Sequence, residues 1–307
     1  MLLSKHEGKF FLMELPEALL SIPHRRDVSF ARLTTLGIGG NCRWLFEPVT
    51  EEEARLFVKT CHACDLSYRI LGGGFNLLVL SDITAPVMRL ALPCELRVTA
   101  NGVSANASYG HATLVNDVAD MGFSGIEWAC GIPGSFGGAL RMNAGAHGSE
   151  WSQVLDYLRF LTPCGEIVEK KPEHGDFAYR SSFLTDGSVA LSASFRLTKS
   201  DMASIKKNMD EFQAKRRQSQ PTGRSAGCIF KNPPGEKAGR LIERAGLKGT
   251  RIGNAEVSAI HANFLLNLGN AALGDFWELI QLVRSRVHEV HRCELELEVE
   301  VWSEFQS

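Results

Sequence analysis

Glycine is concentrated in three loops whose composition suits phosphate binding. The loops are residues 35–40 (TLGIGG), 71–76 (LGGGFN) and 131–138 (GIPGSFGG). Backbone N–H groups approach a phosphate closely where no side chain intervenes, and consecutive N–H groups form anion-binding nests. Each loop alone is more often a tight turn, but three in one chain favour a nucleotide-binding protein.

The loops do not match the two common nucleotide-binding fingerprints. A Rossmann loop at residues 72–77 requires a glycine where the chain has Leu77, and a helix next, where the pattern predicts a strand. Loop 131–138 lacks the Lys-Ser/Thr pair that ends a P-loop. The sequence therefore predicts a nucleotide site of another type.

Two sets of charged residues could take part in acid–base chemistry or in diphosphate binding. Four glutamates alternate with apolar residues over 294–301, which predicts a half-buried strand with four carboxylates on one face. Lys237, Arg240 and Arg244 share one face of a predicted short helix and could meet a diphosphate. A solvated face is the ordinary interpretation of both sets, and composition does not select one carboxylate.

Cysteine and histidine spacings give no metal site. Cys61 and Cys64 have no second pair, and Cys61 continues the core-facing spacing of a helix, so we expect buried thiols there. The nine histidines show no zinc-binding spacing. The eight cysteines lack a paired framework, which favours free thiols in a reducing compartment.

Around these residues the sequence predicts a mixture of helices and strands. Predicted helices span residues 50–64, 111–121, about 205–217, 236–245 and 275–291. Predicted strands span residues 68–71, 77–80, 96–99, 103–107, 154–161, 167–169, 189–197, 228–230, 264–268 and 294–302. Residues 125–148 are expected to be almost all loop, and the Ser/Gly/Pro-rich stretch 218–227 reads as a linker between domains.

The overall composition limits the class of protein. Thirty-three Lys and Arg against 35 Asp and Glu give a net charge of −2, so the protein lacks the overall positive field that would attract a nucleic acid or an acidic membrane. The early apolar runs at 10–13 and 18–20 fall far short of a membrane span, and no signal peptide is recognisable. We expect a cytoplasmic protein without nucleic-acid partners or membrane insertion.

Together with their neighbours, the loops resemble the bacterial UDP-N-acetylenolpyruvoylglucosamine reductases. The matching segments run in order from about residue 30 to residue 302, and so long an ordered set is far more specific than any one glycine motif. They are residues 35–41, 71–79, 125–127, 131–139, 142–146, 179–182, 227–233, 238–242, 253, 257–258, 261–264 and 295–299. The short spacing between Tyr179 and Cys228 resembles the shorter, type II-like subtype.

The resemblance implies an α+β fold of the vanillyl-alcohol-oxidase (PCMH) type. It implies FAD-binding subdomains at 1–82 and 83–217 and a separate α+β substrate-binding domain at 218–307, whose last residues return to the first subdomain. It implies a monomeric bacterial flavoenzyme with non-covalent FAD and NADPH as co-substrate. Such an enzyme reduces UDP-N-acetylenolpyruvoylglucosamine to UDP-N-acetylmuramate in peptidoglycan synthesis, for cell wall biogenesis, cell shape and cell division.

The resemblance also assigns site residues. The expected cofactor-binding residues are Gly37, Gly39, Gly40, Leu71, Gly72, Gly73, Gly74, Phe75, Asn76, Leu77, Gly131, Ile132, Pro133, Gly134, Ser135, Gly137, Gly138, Asn143, Ala144 and Gly145. The expected substrate-binding residues are Tyr179, Lys215, Arg217, Lys231, Asn232 and Arg240. Arg180 and Glu298 would stabilise the enolate-like species, with Glu298 protonated or sharing a proton and its pKa kept high by neighbouring carboxylates.

Three positions depart from the family pattern. Cys228 stands where the family's proton donor is usually a serine, and we expect Lys231 and Arg180 to push its thiol toward thiolate and set an alkaline limit on turnover. Phe75 replaces a small polar residue and loses one phosphate hydrogen bond. Glu300 stands where a basic residue is common, which weakens any expected substrate contact there. The alternatives are an FAD oxidase of the same superfamily and a non-catalytic flavin- or nucleotide-binding protein.

Overall fold

The computed structural model describes residues 15–304. Residues 1–14 and 305–307, with the apolar run at 10–13, lie outside the described residues. The helices of the described part are α1 (Glu17–Leu20), α2 (Glu51–Ala63), α3 (His111–Asp120), α4 (Phe136–Arg141), α5 (Met202–Ser219), α6 (Ala238–Arg244) and α7 (Leu273–His291). Short 3-10 turns occur at Phe30–Arg32, Glu127–Ala129, Trp151–Gln153 and Phe183–Asp186.

The strands are short and numerous. They are β1 (His24–Ser29), β2 (Asn41–Phe46), β3 (Arg69–Ile70), β4 (Leu77–Val79), β5 (Val87–Met88), β6 (Leu96–Thr99), β7 (Gly102–Asn106), β8 (Phe123–Ser124), β9 (Gly145–Ala146), β10 (Ser149–Glu150), β11 (Leu155–Leu161), β12 (Ile167–Lys170), β13 (Phe177–Ala178), β14 (Ser181–Ser182), β15 (Val189–Arg196), β16 (Thr198–Lys199), β17 (Arg251–Ile252), β18 (Ala255–Val257), β19 (Leu265–Asn267) and β20 (Glu300–Trp302).

The first layer is a four-stranded sheet in the order β1-β2-β5-β3 with α2 packed against it. Helix α2 starts where Thr50 accepts a hydrogen bond from the N–H of Glu53 at 3.2 Å, and its first turn is acidic, which suits the positive end of the helix dipole. Its apolar face, which includes the buried Cys61, packs into the core of this layer, as the spacing predicts. Cys64, at the end of α2, is exposed, so the expectation that both thiols are buried is wrong for Cys64.

The second layer is a five-stranded antiparallel sheet in the order β12-β11-β15-β7-β6. Helices α3, α4 and α5 contribute to its core, in which Trp151 and Phe195 are fully buried. The alternating apolar residues of β15 predict this buried central strand correctly.

The third layer packs α6 and α7 on the small sheet β17-β18-β19. The chain then returns toward the first layer, because β20 and β4 form a separate two-stranded parallel sheet that aligns Glu300 with Leu77 and shares an apolar core with residues of β2 and β5. This return brings the segment that carries Glu298 beside the loop at 71–76.

Three predicted segments differ from the structure. Residues 125–148 contain α4, whose N-cap Ser135 accepts from the N–H of Gly138 at 3.2 Å; the glycines in this helix obscured it in the sequence. Residues 228–230 form isolated bridges rather than a strand. Of the predicted strand at 294–302, β20 alone is regular, because the N–H groups of Glu298 and Val299 both donate to the carbonyl of Ile229 and break the ladder.

The four carboxylates of this segment therefore do not share one face. The side chain of Glu296 is 77 % exposed, whereas that of Glu298 is 16 % exposed and lines a cavity. Between residues 15 and 304, no helix is both long and apolar enough to span a bilayer. Within the same range, no group of three or more His, Cys, Asp or Glu side chains is arranged to hold a metal ion.

Candidate active site

A cavity of about 600 Å³ lies where the three layers meet. Loops 70–77 and 132–147 form one side, and residues of the last third of the chain form the other. Arg180, Cys228 and Glu298, which the sequence analysis placed in one catalytic group, all line it. A second cavity of about 320 Å³ uses the same residues of the two glycine loops as part of its wall. Loops 71–76 and 131–138 thus lie at the junction of two adjoining cavities.

Loop 71–76 presents a row of unused donors to these cavities. Among the described residues, the N–H groups of 72–76 donate to no protein acceptor. Gly74 has φ +69°, and a Cβ there would overlap the carbonyl of Leu33, so only glycine fits. A Cβ on Gly73 would lie 3.0 Å from the Cα of Gly134 and from the N of Ser135, so the two loops approach each other with no room for a side chain. Such a row of free donors suits an anionic ligand.

Loop 131–138 is fixed from behind by His111. The N–H of His111 donates to the carbonyl of Gly134 at 2.9 Å, and its ring Nδ1 lies 2.9 Å from the carbonyl of Ile132. The indole N–H of Trp151 donates to Nε2 at 3.0 Å, so Nδ1 carries the proton of the neutral ring. Burial, the largest cause, lowers the pKa of His111 to about 4 and keeps the imidazole neutral.

Loop 35–40 does not line either cavity but lies behind loop 71–76. The N–H of Thr35 donates to the carbonyl of Gly74 at 3.0 Å. A Cβ on Gly39 would overlap the side chain of Phe30, and one on Gly40 would overlap the carbonyl of Ser81. Gly37, Gly39 and Gly40 therefore support the neighbouring loop, while most of the other expected cofactor residues line at least one cavity. Asn143 is fully buried, and its side chain bonds to the backbones of Ala178 and Ser152.

Arg180 and Glu298 form a largely buried ion pair. The Nε of Arg180 donates to Oε1 of Glu298 at 3.0 Å, and its Nη2 donates to the carbonyl of Gly145 at 3.1 Å. Arg180 has φ +57°, a conformation uncommon for a residue with a side chain. Burial raises the pKa of Glu298, and the guanidinium of Arg180 acts in the opposite direction without overcoming it. The predicted cause was wrong: burial, rather than neighbouring carboxylates, keeps the pKa high.

Cys228 lies beside this pair and faces the cavity. Burial, followed by the charge of Glu298, raises the pKa of its thiol to about 12, although Arg180 and Arg216 act to lower it. The expectation that Lys231 and Arg180 would favour the thiolate is therefore wrong. Lys231 is engaged by Glu296 at 3.5 Å, and the low-polarity surroundings of the sulfur outweigh the nearby positive charge.

The six expected substrate-binding residues lie outside the lining of the cavity. Tyr179 and Asn232 meet each other, since the side-chain N–H of Asn232 donates to the Tyr179 hydroxyl at 3.1 Å. Lys215, Arg217 and Arg240 are exposed.

Arg216, which the sequence analysis passed over, lines the cavity instead. It lies in line with Ile205, Met209 and Phe212 on α5, so helical spacing could have identified it. Among residues 15–304 it has no carboxylate partner and is half-buried. Ser219, Gln220, Lys237 and His261 are further lining residues absent from the expected set.

The negative charge of Glu300 is neutralised by a neighbouring arginine, Arg141. Its carboxylate accepts from Arg141 Nη1 at 2.5 Å and from the indole N–H of Trp302 at 2.9 Å. The carboxylate thus forms part of the cavity wall together with Arg141 and Trp302. The guanidinium of Arg141 neutralises the charge of this carboxylate, so Glu300 adds no unpaired negative charge to the cavity.

Comparisons with known proteins agree on one family. The family described as "UDP-N-acetylenolpyruvoylglucosamine reductase, C-terminal domain" matches residues 218–302, and the "FAD binding domain" family matches residues 43–170. The UDP-N-acetylenolpyruvoylglucosamine reductase of Rubrobacter xylanophilus is 39% identical over 91% of this chain and 95% of its own. That of Shouchella clausii is 38% identical over 93% of this chain and 91% of its own.

A solved structure gives the same result. The crystal structure of UDP-N-acetylenolpyruvylglucosamine reductase from Thermus caldophilus superposes with a TM-score of 0.78 at 37% identity, covering 92% of this chain and 99% of that chain. Together with the match to an FAD-binding domain, this confirms the fold class that the sequence predicts.

Proposed function

The chain belongs to the UDP-N-acetylenolpyruvoylglucosamine reductase family, and on that premise we propose how its residues carry out the reaction. It is an FAD-dependent oxidoreductase that reduces the enolpyruvyl ether of UDP-N-acetylenolpyruvoylglucosamine in peptidoglycan synthesis. The observation that carries the residue assignment is the convergence of Arg180, Glu298 and Cys228 on the cavity beside the row of free N–H donors. NADPH is the proposed reductant, and UDP-N-acetylmuramate and NADP⁺ are the products.

The two glycine loops fit the diphosphate of non-covalently bound FAD. The free N–H groups of 72–76 can donate to phosphate oxygens, and the close approach of Gly73 to Gly134 leaves the backbone exposed to the ligand. Two adjoining cavities suit the two ends of an elongated dinucleotide. When bound, FAD supplies the hydride that reaches the methylene carbon of the enolpyruvyl group.

Arg180 and Glu298 stabilise the charge that this addition creates. Hydride addition to the β-carbon leaves a pair of electrons on the α-carbon, delocalised into the carboxylate of the substrate. The guanidinium of Arg180, which donates to Glu298 at 3.0 Å, supplies positive charge, and the carboxyl group of Glu298, whose pKa burial raises, shares a proton with the substrate carboxylate as charge develops there. Both contacts strengthen as the carboxylate gains charge, which lowers the barrier.

Cys228 donates the proton that completes the reduction. Its pKa of about 12 keeps the thiol protonated at neutral pH, and the enolate-like α-carbon is a strong enough base to take that proton. The thiolate that remains is reprotonated from solvent before the next turnover. Atoms and electrons balance, because the hydride adds to the β-carbon, the electron pair of the C=C bond takes the proton at the α-carbon, and the S–H bond of Cys228 that breaks is restored from solvent.

Binding of the UDP moiety rests on positive charge around the cavity. Tyr179, Lys215, Arg217, Lys231, Asn232 and Arg240 remain the proposed substrate-binding residues, and the half-buried Arg216 and the cavity-lining Lys237 join them. We also propose that the protein acts as a monomer in the cytoplasm, and that residues 1–82, 83–217 and 218–307 are its domains.

A spectroscopic experiment tests the whole proposal. The purified protein is expected to be yellow, to be bleached by NADPH without oxygen, and to recover its colour when the enolpyruvyl nucleotide is added, with UDP-N-acetylmuramate formed in equal amount. Recovery with oxygen but not with the nucleotide would favour the oxidase alternative. A yellow protein that NADPH does not bleach would favour a non-catalytic flavin-binding protein.

A further inference from the structure

Phe75 is the one residue of loop 72–76 that brings a large apolar side chain to the junction of the two cavities. It lines both the 600 Å³ and the 320 Å³ cavity. Its ring atom Cδ2 lies 3.0 Å from the position of a Cβ on Gly73 and 3.8 Å from that of a Cβ on Gly134. The ring thus stands beside the place where the two glycine loops meet.

The ring of Phe75 does not contribute to the apolar cores that stabilise the fold. Phe75 is 37 % exposed and belongs to none of the four apolar cores of the described residues. An exposed aromatic ring at the wall of a cavity is costly in water, and it gains by covering a ligand. Its own N–H is one of the free donors of the loop, and the ring lines the same two cavities as the neighbouring residues that carry the other donors.

We propose that Phe75 is a retention residue that covers the diphosphate portion of bound FAD and slows its release. This rests on the proposed function, in which the free N–H groups of loop 72–76 bind that diphosphate. The ring excludes water from the phosphate and the N–H donors, and hydrogen bonds in a drier site are stronger. For FAD to leave, the ring must first rotate away, so the side chain acts on the rate of dissociation more than on the chemistry.

Three variants separate the ring from the backbone. Phe75→Ala removes the ring and leaves every N–H of the loop in place, whereas Phe75→Tyr keeps it. Val98→Ala is the matched control, because Val98 is another exposed apolar side chain, 61 % exposed on β6 and away from both cavities. The rate of FAD release is read from the rise of flavin fluorescence after dilution of each holoprotein, and the rate of uptake from its quenching on mixing with apoprotein.

Phe75→Ala is expected to release FAD about tenfold faster or more, since burial of an aromatic side chain is worth roughly one to two factors of ten. Phe75→Tyr and Val98→Ala should release it at close to the parental rate. The melting temperature of the apoprotein should not change in Phe75→Ala, which a structural role for the ring would not allow. An unchanged or slower release in Phe75→Ala overturns the proposal while the proposed function stands; a parental protein that takes up no FAD overturns both.

Discussion

The assignment of Cys228 as proton donor predicts an unusual pH profile. Burial and the charge of Glu298 raise the pKa of this thiol to about 12, so at about pH 8 only roughly one molecule in ten thousand carries the thiolate. The protonated form donates, and it therefore stays fully populated across the neutral and mildly alkaline range. The reduction of the enolpyruvyl substrate should show no alkaline decline from this group until the pH approaches its raised pKa.

The assay isolates the second half of the reaction. The enzyme is reduced with one equivalent of NADPH without oxygen and mixed with the enolpyruvyl nucleotide, and the return of flavin absorbance is followed from about pH 6 to about pH 10. Cys228→Ala should slow this step by about 10²–10⁴-fold, the usual contribution of a positioned general acid. Cys228→Ser should remain active with a flat profile. Reduction by NADPH should be unchanged in both variants, and Cys164→Ser, which alters an exposed thiol, should behave as the parent.

Two results would refute this reasoning. One is a decline with an apparent pKa near the ordinary cysteine value of about 8.5 that Cys228→Ser removes, because the thiol would then ionise as if it were solvated. The other is a Cys228→Ala variant that reduces the substrate at the parental rate, because the proton would then come from another group.

Three further predictions concern the loops and the cavity charge. Gly74→Ala should abolish FAD uptake and lower the melting temperature by several degrees. Gly148→Ala, at a glycine of similar positive φ with no atom within 4 Å of a Cβ, should lower the free energy of unfolding by only about 1 kcal/mol. Equal destabilisation by the two substitutions would show that contact with Leu33 is not what excludes a side chain at Gly74. The pKa of His111 is lowered to about 4, so the free energy of unfolding should fall as the pH drops from about 6.5 toward 4. Urea unfolding of His111→Phe should show a weaker decline over this range, and an equally steep decline would contradict the assignment to His111. Arg216→Ala should raise the KM for the nucleotide more than Arg217→Ala, because only the first residue lines the cavity; steady-state kinetics showing the reverse order would favour the exposed neighbour.

Local patterns in the sequence predict those elements that local interactions determine. Helix α2 follows from its Thr50 cap and apolar spacing, and β15 from its strict alternation. The segment at 294–299 also alternates, yet its N–H groups bond to Ile229 rather than to a neighbouring strand in register. Alternation describes which side chains are apolar, but the partner that completes a ladder comes from tertiary structure.

The same distinction holds for the site. The cluster of Arg180, Cys228 and Glu298 could be named from the resemblance, and the structure brings the three residues to one cavity. The protonation of Cys228 could not be predicted, because nearby positive residues suggest a thiolate until burial is known. On α5, Lys215 and Arg217 were the expected substrate-binding residues, whereas helical geometry turns Arg216 toward the cavity.

The parallel pairing of β20 with β4 has a consequence for how the protein is made. Loop 71–76 leads directly into β4, whose partner strand lies more than 200 residues later, at Glu300–Trp302. During translation, the first two layers emerge from the ribosome long before that partner does. We therefore expect the nascent chain to gain a stable cofactor cradle only after residues 300–302 have been synthesised, so that FAD capture follows the arrival of Glu298.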